Sequence, residues 1–170
     1  MNKTEEIVRE IIQKFSENGW TLSTAESCTG GNIAHNITLI PGSSAIFNGG
    51  IVSYSNEVKM NLLGVKADDL EREGAVRQPV VEQMAKGAAK ALRTTFAVST
   101  SGVAGPGGGS PEKPVGTVWM AASDGENVIS QKCLFGTDRK ENIEKATLEV
   151  FFLLKEFVQK QKSITFASEK

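Results

Sequence analysis

The sequence predicts an α/β fold, a three-layer α/β/α sandwich around a mixed sheet, and three observations carry that prediction. Amphipathic helical stretches alternate with short β-rich runs in the early chain, a pattern that builds parallel strands joined by helical crossovers. Later, two strand-like runs flank Asp124-Gly125, a hairpin signal that forces one antiparallel pair. Two glycine-rich segments follow strand-like runs directly, and open α/β sheets place their ligands beyond such strand ends. With 170 residues the chain fits one domain. We expect that domain over residues 1–158, with Gln159 to Lys170 as a frayed, flexible tail.

The first helix is expected to begin near Thr4, with Glu5 and Glu6 favourably placed in its first turn. Ile7, Ile11, Ile12 and Phe15 form its apolar side, and Gly19 ends it. A strand from Trp20 to Ala25 follows. After Gly30-Gly31, Ile33, Ile37 and Ile40 mark a second helix that Pro41-Gly42 stops, and Ser43-Ser44 can cap a short third one. GIVSY, Gly50 to Tyr54, reads as the next strand. Ser55 or Asn56 caps a helix carrying Val58, Leu62 and Leu63, closed by Gly64, and a short acidic helix runs from Ala67 to Glu73. Gln78-Pro79 opens a long helix to about Arg93, with proline at the tolerated first position. Phe96 to Ser101 is a strand, Val115 to Ser123 and Asn127 to Phe135 are the hairpin, and a helix from Thr137 or Asp138 to Val158 completes the domain.

Composition narrows the function. A net charge of -1, from 19 basic and 20 acidic residues, supplies no field for sequence-independent nucleic-acid binding. MNKTEEIVREII has no signal-peptide core and no run approaches membrane-spanning length, so we expect a cytoplasmic protein that contacts neither nucleic acid nor membrane. Cys28 and Cys133 lie far apart and read as free thiols. The single histidine, His35, falls among the isoleucines of the second helix and reads as a surface or packed residue. No metal and no cofactor is expected, because closely spaced ligands are missing.

TAESCTGG, Thr24 to Gly31, is the segment richest in chemistry: a strand ends in two hydroxyls and a thiol before two glycines and a helix. Ser27 and Cys28 are both candidate nucleophiles, and the first amides of the following helix can face an anion or oxyanion. A helix cap built of small residues explains the segment equally well. Serine needs a base, and with no usable histidine the candidates are the only tyrosine, Tyr54, and Lys59 in the YSNEVK run. An interfacial tyrosine beside a solvated lysine is the competing explanation. Tyr54 and Lys59 are five apart rather than the four of short-chain dehydrogenases, and the position three after Ser27 is Gly30 rather than the lysine of serine β-lactamases. The loop from Gly102 to Pro114 can form an anion nest but lacks the lysine-hydroxyl ending of a P-loop. Arg139, at the start of the last helix, is a candidate phosphate partner.

Taken together, TAESCTGG, PGSSAIFNGGIVSYSNEVK at Pro41 to Lys59, GAV at Gly74 to Val76 and SGVAGPGGGSPEKPVGTVW at Ser101 to Trp119 resemble the CinA C-terminal domain family. Its characterised members include nicotinamide-nucleotide amidohydrolases. The resemblance implies a five-stranded mixed sheet and metal-independent hydrolysis of the carboxamide of nicotinamide mononucleotide to nicotinate mononucleotide and ammonia. It implies Ser27 as nucleophile assisted by Tyr54 and Lys59. Thr29, Gly30, Gly31, Ser101, Gly105, Gly108 and Arg139 are the expected substrate-binding residues. The partner is then a small-molecule nucleotide, and such domains commonly pair as homodimers. Three positions depart from the family's usual pattern: Arg77 where many members have serine, Gly107 where many have aspartate, and Ile143 where many have a second arginine. A weaker hold on the phosphate, or a paralogue that binds nucleotide without turning it over, is the alternative those departures raise.

Overall fold

The computed structural model describes residues 1–168, with side chains through Gln161. Helices α1 (Lys3–Asn18), α2 (Asn32–Thr38), α3 (Asn56–Leu63), α4 (Ala67–Glu73), α5 (Gln78–Leu92) and α6 (Arg139–Ser168) surround strands β1 (Leu22–Glu26), β2 (Phe47–Val52), β3 (Phe96–Gly102), β4 (Thr117–Ser123) and β5 (Val128–Leu134). A 3-10 turn at Ser43–Ala45 precedes β2. The helix ends follow local chemistry. Asn2 caps α1 by accepting the Glu5 amide at 2.8 Å, Ser55 caps α3 by accepting that of Val58 at 3.2 Å, and Asp138 accepts that of Glu141 at 2.9 Å. Gly19 and Gly64 close α1 and α3 in the left-handed conformation that glycine adopts without steric cost.

The sheet order is β2-β1-β3-β4-β5, with β1 parallel to β2 and β3, and β4 antiparallel to both β3 and β5. This is the mixed three-layer sandwich that the sequence predicts. Alternating residues of the strands supply two cores. Leu22, Phe96, Val98, Val118 and Met120 meet α1, α2 and α6 on one face. Ala25, Ala97 and Ala121 meet Val80, Val81, Met84 and Ala88 of α5, with α3 and α4 completing the other face. Small strand residues on the second face let α5 lie close to the sheet. β1 is buried at every position, so its fit between the layers leaves little freedom to the turn after Glu26.

The boundaries of several elements differ from the sequence reading, most visibly in β1, β2 and α6. β1 extends one residue further, to Glu26, because the register with β3 runs on to Thr100. β2 begins three residues earlier than expected and releases Ser53 and Tyr54 from the sheet. Its Gly50 is needed there, since a Cβ would collide with Thr24 Oγ1. Helix α6 does not stop at Val158: it continues to Ser168, helped past the buried Phe157 and Val158 by the Glu156–Lys160 pair at 3.0 Å. The expected tail from Gln159 is therefore helical to Ser168, and its last two residues, 169–170, lie outside the described residues. Among the described residues no helix is long and apolar enough to cross a membrane.

Candidate active site

The carboxyl ends of β1, β2 and β3 converge on Ser27. Its amide donates to Thr100 O at 3.0 Å, tying the start of the turn to β3, while Ser53 N donates to Glu26 O at 2.8 Å and ties β2 to the same point. Gly30 N returns to Ser27 O at 3.0 Å, and the positive φ angles of Gly30 (58°) and Gly31 (101°) let the chain turn into α2. Ser27 is left 9 % exposed at the lip of the site.

Lys59 lies at the end of the first turn of α3 and is only 1 % exposed. Its Nζ sits 3.0 Å from Ser27 Oγ, 2.7 Å from Ser53 O and 3.2 Å from Tyr54 O. Burial lowers its pKa from the ordinary lysine value, with the neighbouring Cys28 opposing the shift. The contact set has a chemical consequence. A neutral amine has two N–H groups and one lone pair; the two carbonyls take both N–H groups, so the lone pair faces the Ser27 hydroxyl proton. Once protonated, the ammonium has three acceptors for three protons.

Cys28 is the other candidate nucleophile, and its surroundings hold it as a thiol. Burial first, and then the charge of Glu26, push its pKa up to about 12 against the lowering effects of its own amide, Lys59 and Thr100. It packs in the core with Ile33 and Ile37.

Tyr54 is 62 % exposed, and its phenol oxygen accepts from Arg139 Nη2 at 3.2 Å. Arg139 Nη1 donates to Gly105 O at 2.6 Å. Tyr54, Arg139 and Gly105 thus span the ends of β2 and β3, on either side of the β1 end that carries Ser27. Tyr54 reaches Lys59 through its main-chain carbonyl, while its phenol is turned to Arg139. Gly105 and Gly108 have φ of 91° and 86°, and a Cβ at Gly105 would collide with Val115. Ser101 is buried at the end of β3, in register with Trp119 of β4.

Ser27, Lys59, Tyr54, Gly105 and Arg139 therefore lie at one end of the sheet, and the model of the CinA C-terminal domain matches residues 4–158. The chain belongs to that family. It is 56% identical over 131 residues to the nicotinamide-nucleotide amidohydrolase PncC of Pseudomonas putida, covering 77% of this chain and 80% of that one. With PncC of Escherichia coli (strain K12) it shares 50% identity over 133 residues, 77% of this chain and 81% of that one. The competence/damage inducible protein CihA of Agrobacterium tumefaciens has the same fold, with a TM-score of 0.89 at 42% identity across 92% of this chain and 96% of that one.

The three departures from the family pattern all lie away from Ser27 and Lys59. Arg77 pairs with Glu73 at 2.8 Å and donates to Asp69 O at 3.2 Å, fastening α4 to the start of α5. Gly107 is exposed, with nothing within 4 Å of a Cβ built there. Ile143 packs against the core beneath α6.

Two buried polar residues escaped the sequence reading. Asn142 donates to Ala104 O at 3.0 Å and Gly136 O at 3.1 Å and accepts from Gly136 N at 3.0 Å, so it anchors the glycine-rich loop to α6. It stands one turn before Ala146 and two before Val150 on the buried stripe of that helix, which is the signal that marks it. Glu26, 1 % exposed, accepts from Thr29 Oγ1 at 2.7 Å, Ile33 N at 2.8 Å and Ala34 N at 3.0 Å. An acid inside a buried strand demands such partners. It also occupies the first amides of α2, which the sequence reading offered to an anion or oxyanion. Among the described residues the amides of Cys28, Thr29 and Gly31 donate to no main-chain carbonyl.

Proposed function

We propose that the chain is an amidohydrolase that deamidates nicotinamide mononucleotide to nicotinate mononucleotide and ammonia. The observation that carries the chemistry is the 3.0 Å contact between Lys59 Nζ and Ser27 Oγ, with both other Nζ contacts made to carbonyls. The substrate is inferred from the relatives named for it.

Neutral Lys59 accepts the Ser27 proton as Oγ bonds to the carboxamide carbon, whose oxygen becomes an oxyanion. The amides of Cys28, Thr29 and Gly31 are the donors for that charge, an effect worth roughly 3 kcal/mol for each well-placed donor. Collapse breaks the C–N bond while the Lys59 ammonium returns its proton to the leaving nitrogen, releasing ammonia and leaving an ester on Ser27. Water, deprotonated by Lys59, hydrolyses that ester and frees the acid. Arg139, presented by Tyr54 and Gly105, holds the ribose phosphate, with Ser101, Gly105 and Gly108 lining the same side. Gly30 and Gly31 shape the turn beneath the substrate.

Ammonia released from nicotinamide mononucleotide, nicotinamide riboside and nicotinamide tests the assignment. The mononucleotide is expected to be turned over much faster than the other two. Absence of ammonia from the mononucleotide overturns it.

A further inference from the structure

We propose that Glu26 is a positioning residue for Ser27, its buried carboxylate bracing the nucleophile turn at both ends; this rests on Ser27 being the nucleophile of the reaction above. Glu26 immediately precedes Ser27, and its side chain grips the residues on the far side of the turn. Oε1 takes the Ile33 amide and the Thr29 hydroxyl, and Oε2 takes the Ala34 amide. One side chain therefore closes residues 27–32 into a loop.

The proton count fixes the direction of the next link. Thr29 Oγ1 spends its only proton on Glu26, so the 2.8 Å contact between Thr29 and Thr100 hydroxyls is donated by Thr100. The chain Thr100 to Thr29 to Glu26 joins β3, the turn and α2, and every member is buried. Bonds to an ionised acceptor in such a setting are short and strong. Helix α2 has only seven residues and a left-handed glycine, with no side-chain cap of its own, at its start. A helix that short does not hold its own end. Glu26 supplies the cap from seven residues back, and Ser27 is carried between the two anchor points.

The Thr29 hydroxyl is then a brace and not a substrate contact, since it is engaged with Glu26 and Thr100, and only the Thr29 amide is left to face the substrate. Moving Ser27 Oγ off its 3.0 Å contact with Lys59 is the penalty for loosening the brace.

The test compares wild type, Glu26→Gln, Thr29→Val and the double variant. Glutamine keeps the shape and one acceptor but sets an amide N–H₂ against the Ala34 N–H; valine removes one brace partner and keeps the volume. Circular dichroism melts identify folded variants. Steady-state kinetics on nicotinamide mononucleotide give kcat and KM, and intact mass follows Ser27 labelling by a fluorophosphonate, which needs no nucleotide. We expect kcat and labelling rate to fall together, roughly 10- to 100-fold for Glu26→Gln and less for Thr29→Val. KM should stay unchanged, and the double variant should lose no more than Glu26→Gln alone. Should Glu26→Gln fail to fold, Thr29→Val decides. Folded variants that label and turn over at wild-type rates overturn the brace. A wild type that labels at Ser27, slows on Thr29→Val and releases no ammonia keeps the brace and sinks the substrate assignment instead.

Discussion

Replacing Lys59 with methionine separates its chemical role from its packing role. Methionine has nearly the same length and fills the same buried volume, so no cavity opens beside Ser27. The amine is lost, and with it the lone pair at 3.0 Å from Ser27 Oγ. Positioned general bases contribute about 10²- to 10⁴-fold, so kcat for ammonia release should fall by that factor. Stability should change less, because two effects oppose. Ser53 O and Tyr54 O lose their donor, at about 1–3 kcal/mol for each carbonyl left without a partner. Against that, burial no longer penalises a charge. Since Lys59 has a lowered pKa in the folded protein, the unfolded chain binds more protons between that value and the ordinary one. Wild-type stability therefore rises with pH through that window and is reduced below it, and Lys59→Met should lack this slope. Catalysis shares the sign: the base is the neutral amine, so kcat/KM should climb with pH and level off below the ordinary lysine value. The assay is ammonia release with parallel thermal melts across pH. A folded Lys59→Met enzyme with wild-type kcat, or a wild-type rate that does not climb with pH, refutes the reasoning.

Cys28→Ala should keep kcat close to wild type, because the thiol is held protonated and packed in the core, and ammonia release reads this directly. Tyr54→Phe and Arg139→Ala should each raise KM for the mononucleotide, with the double variant no worse than Arg139→Ala, because the phenol acts by holding the guanidinium. A fall in kcat alone for Tyr54→Phe would instead put the phenol in the proton path. Gly87→Ala drives a Cβ into Leu63 O, where α5 crosses α3. It should lower stability by about 1–3 kcal/mol, read as a drop in melting temperature.

Much of the architecture was legible because local signals agreed with one another. Ala67–Glu73 reads directly from its acidic first turn and closing glycine, and the Asp124-Gly125 hairpin fixed the antiparallel half of the sheet. β2 was begun three residues late, at Gly50, because glycines weaken a strand signal. Only the sheet shows that Thr24 crosses there and excludes a side chain. The C-terminal helix was cut short because no apolar stripe carries it beyond Val158. In the site, Ser27 and Lys59 were named from a strand-to-turn motif and the scarcity of other bases, and they lie in direct contact. The resemblance set Tyr54 beside them as an assistant, but a sequence cannot show which way a phenol turns. Thr29 was expected to touch the substrate, yet its hydroxyl donates to Glu26, and that pairing depends on the fold of the turn, which has no sequence spacing of its own. The altered positions 77, 107 and 143 looked like changes at a phosphate end, yet an ion pair with α4, open solvent and core packing account for where they sit.

The central claim is that Ser27 attacks the carboxamide. Purified wild type and Ser27→Ala, mixed with nicotinamide mononucleotide and sampled by intact mass and ammonia assay, test it most directly. Wild type should release ammonia and carry a transient ester on Ser27, while the folded variant should show neither. Ammonia release by Ser27→Ala at the wild-type rate would contradict the account.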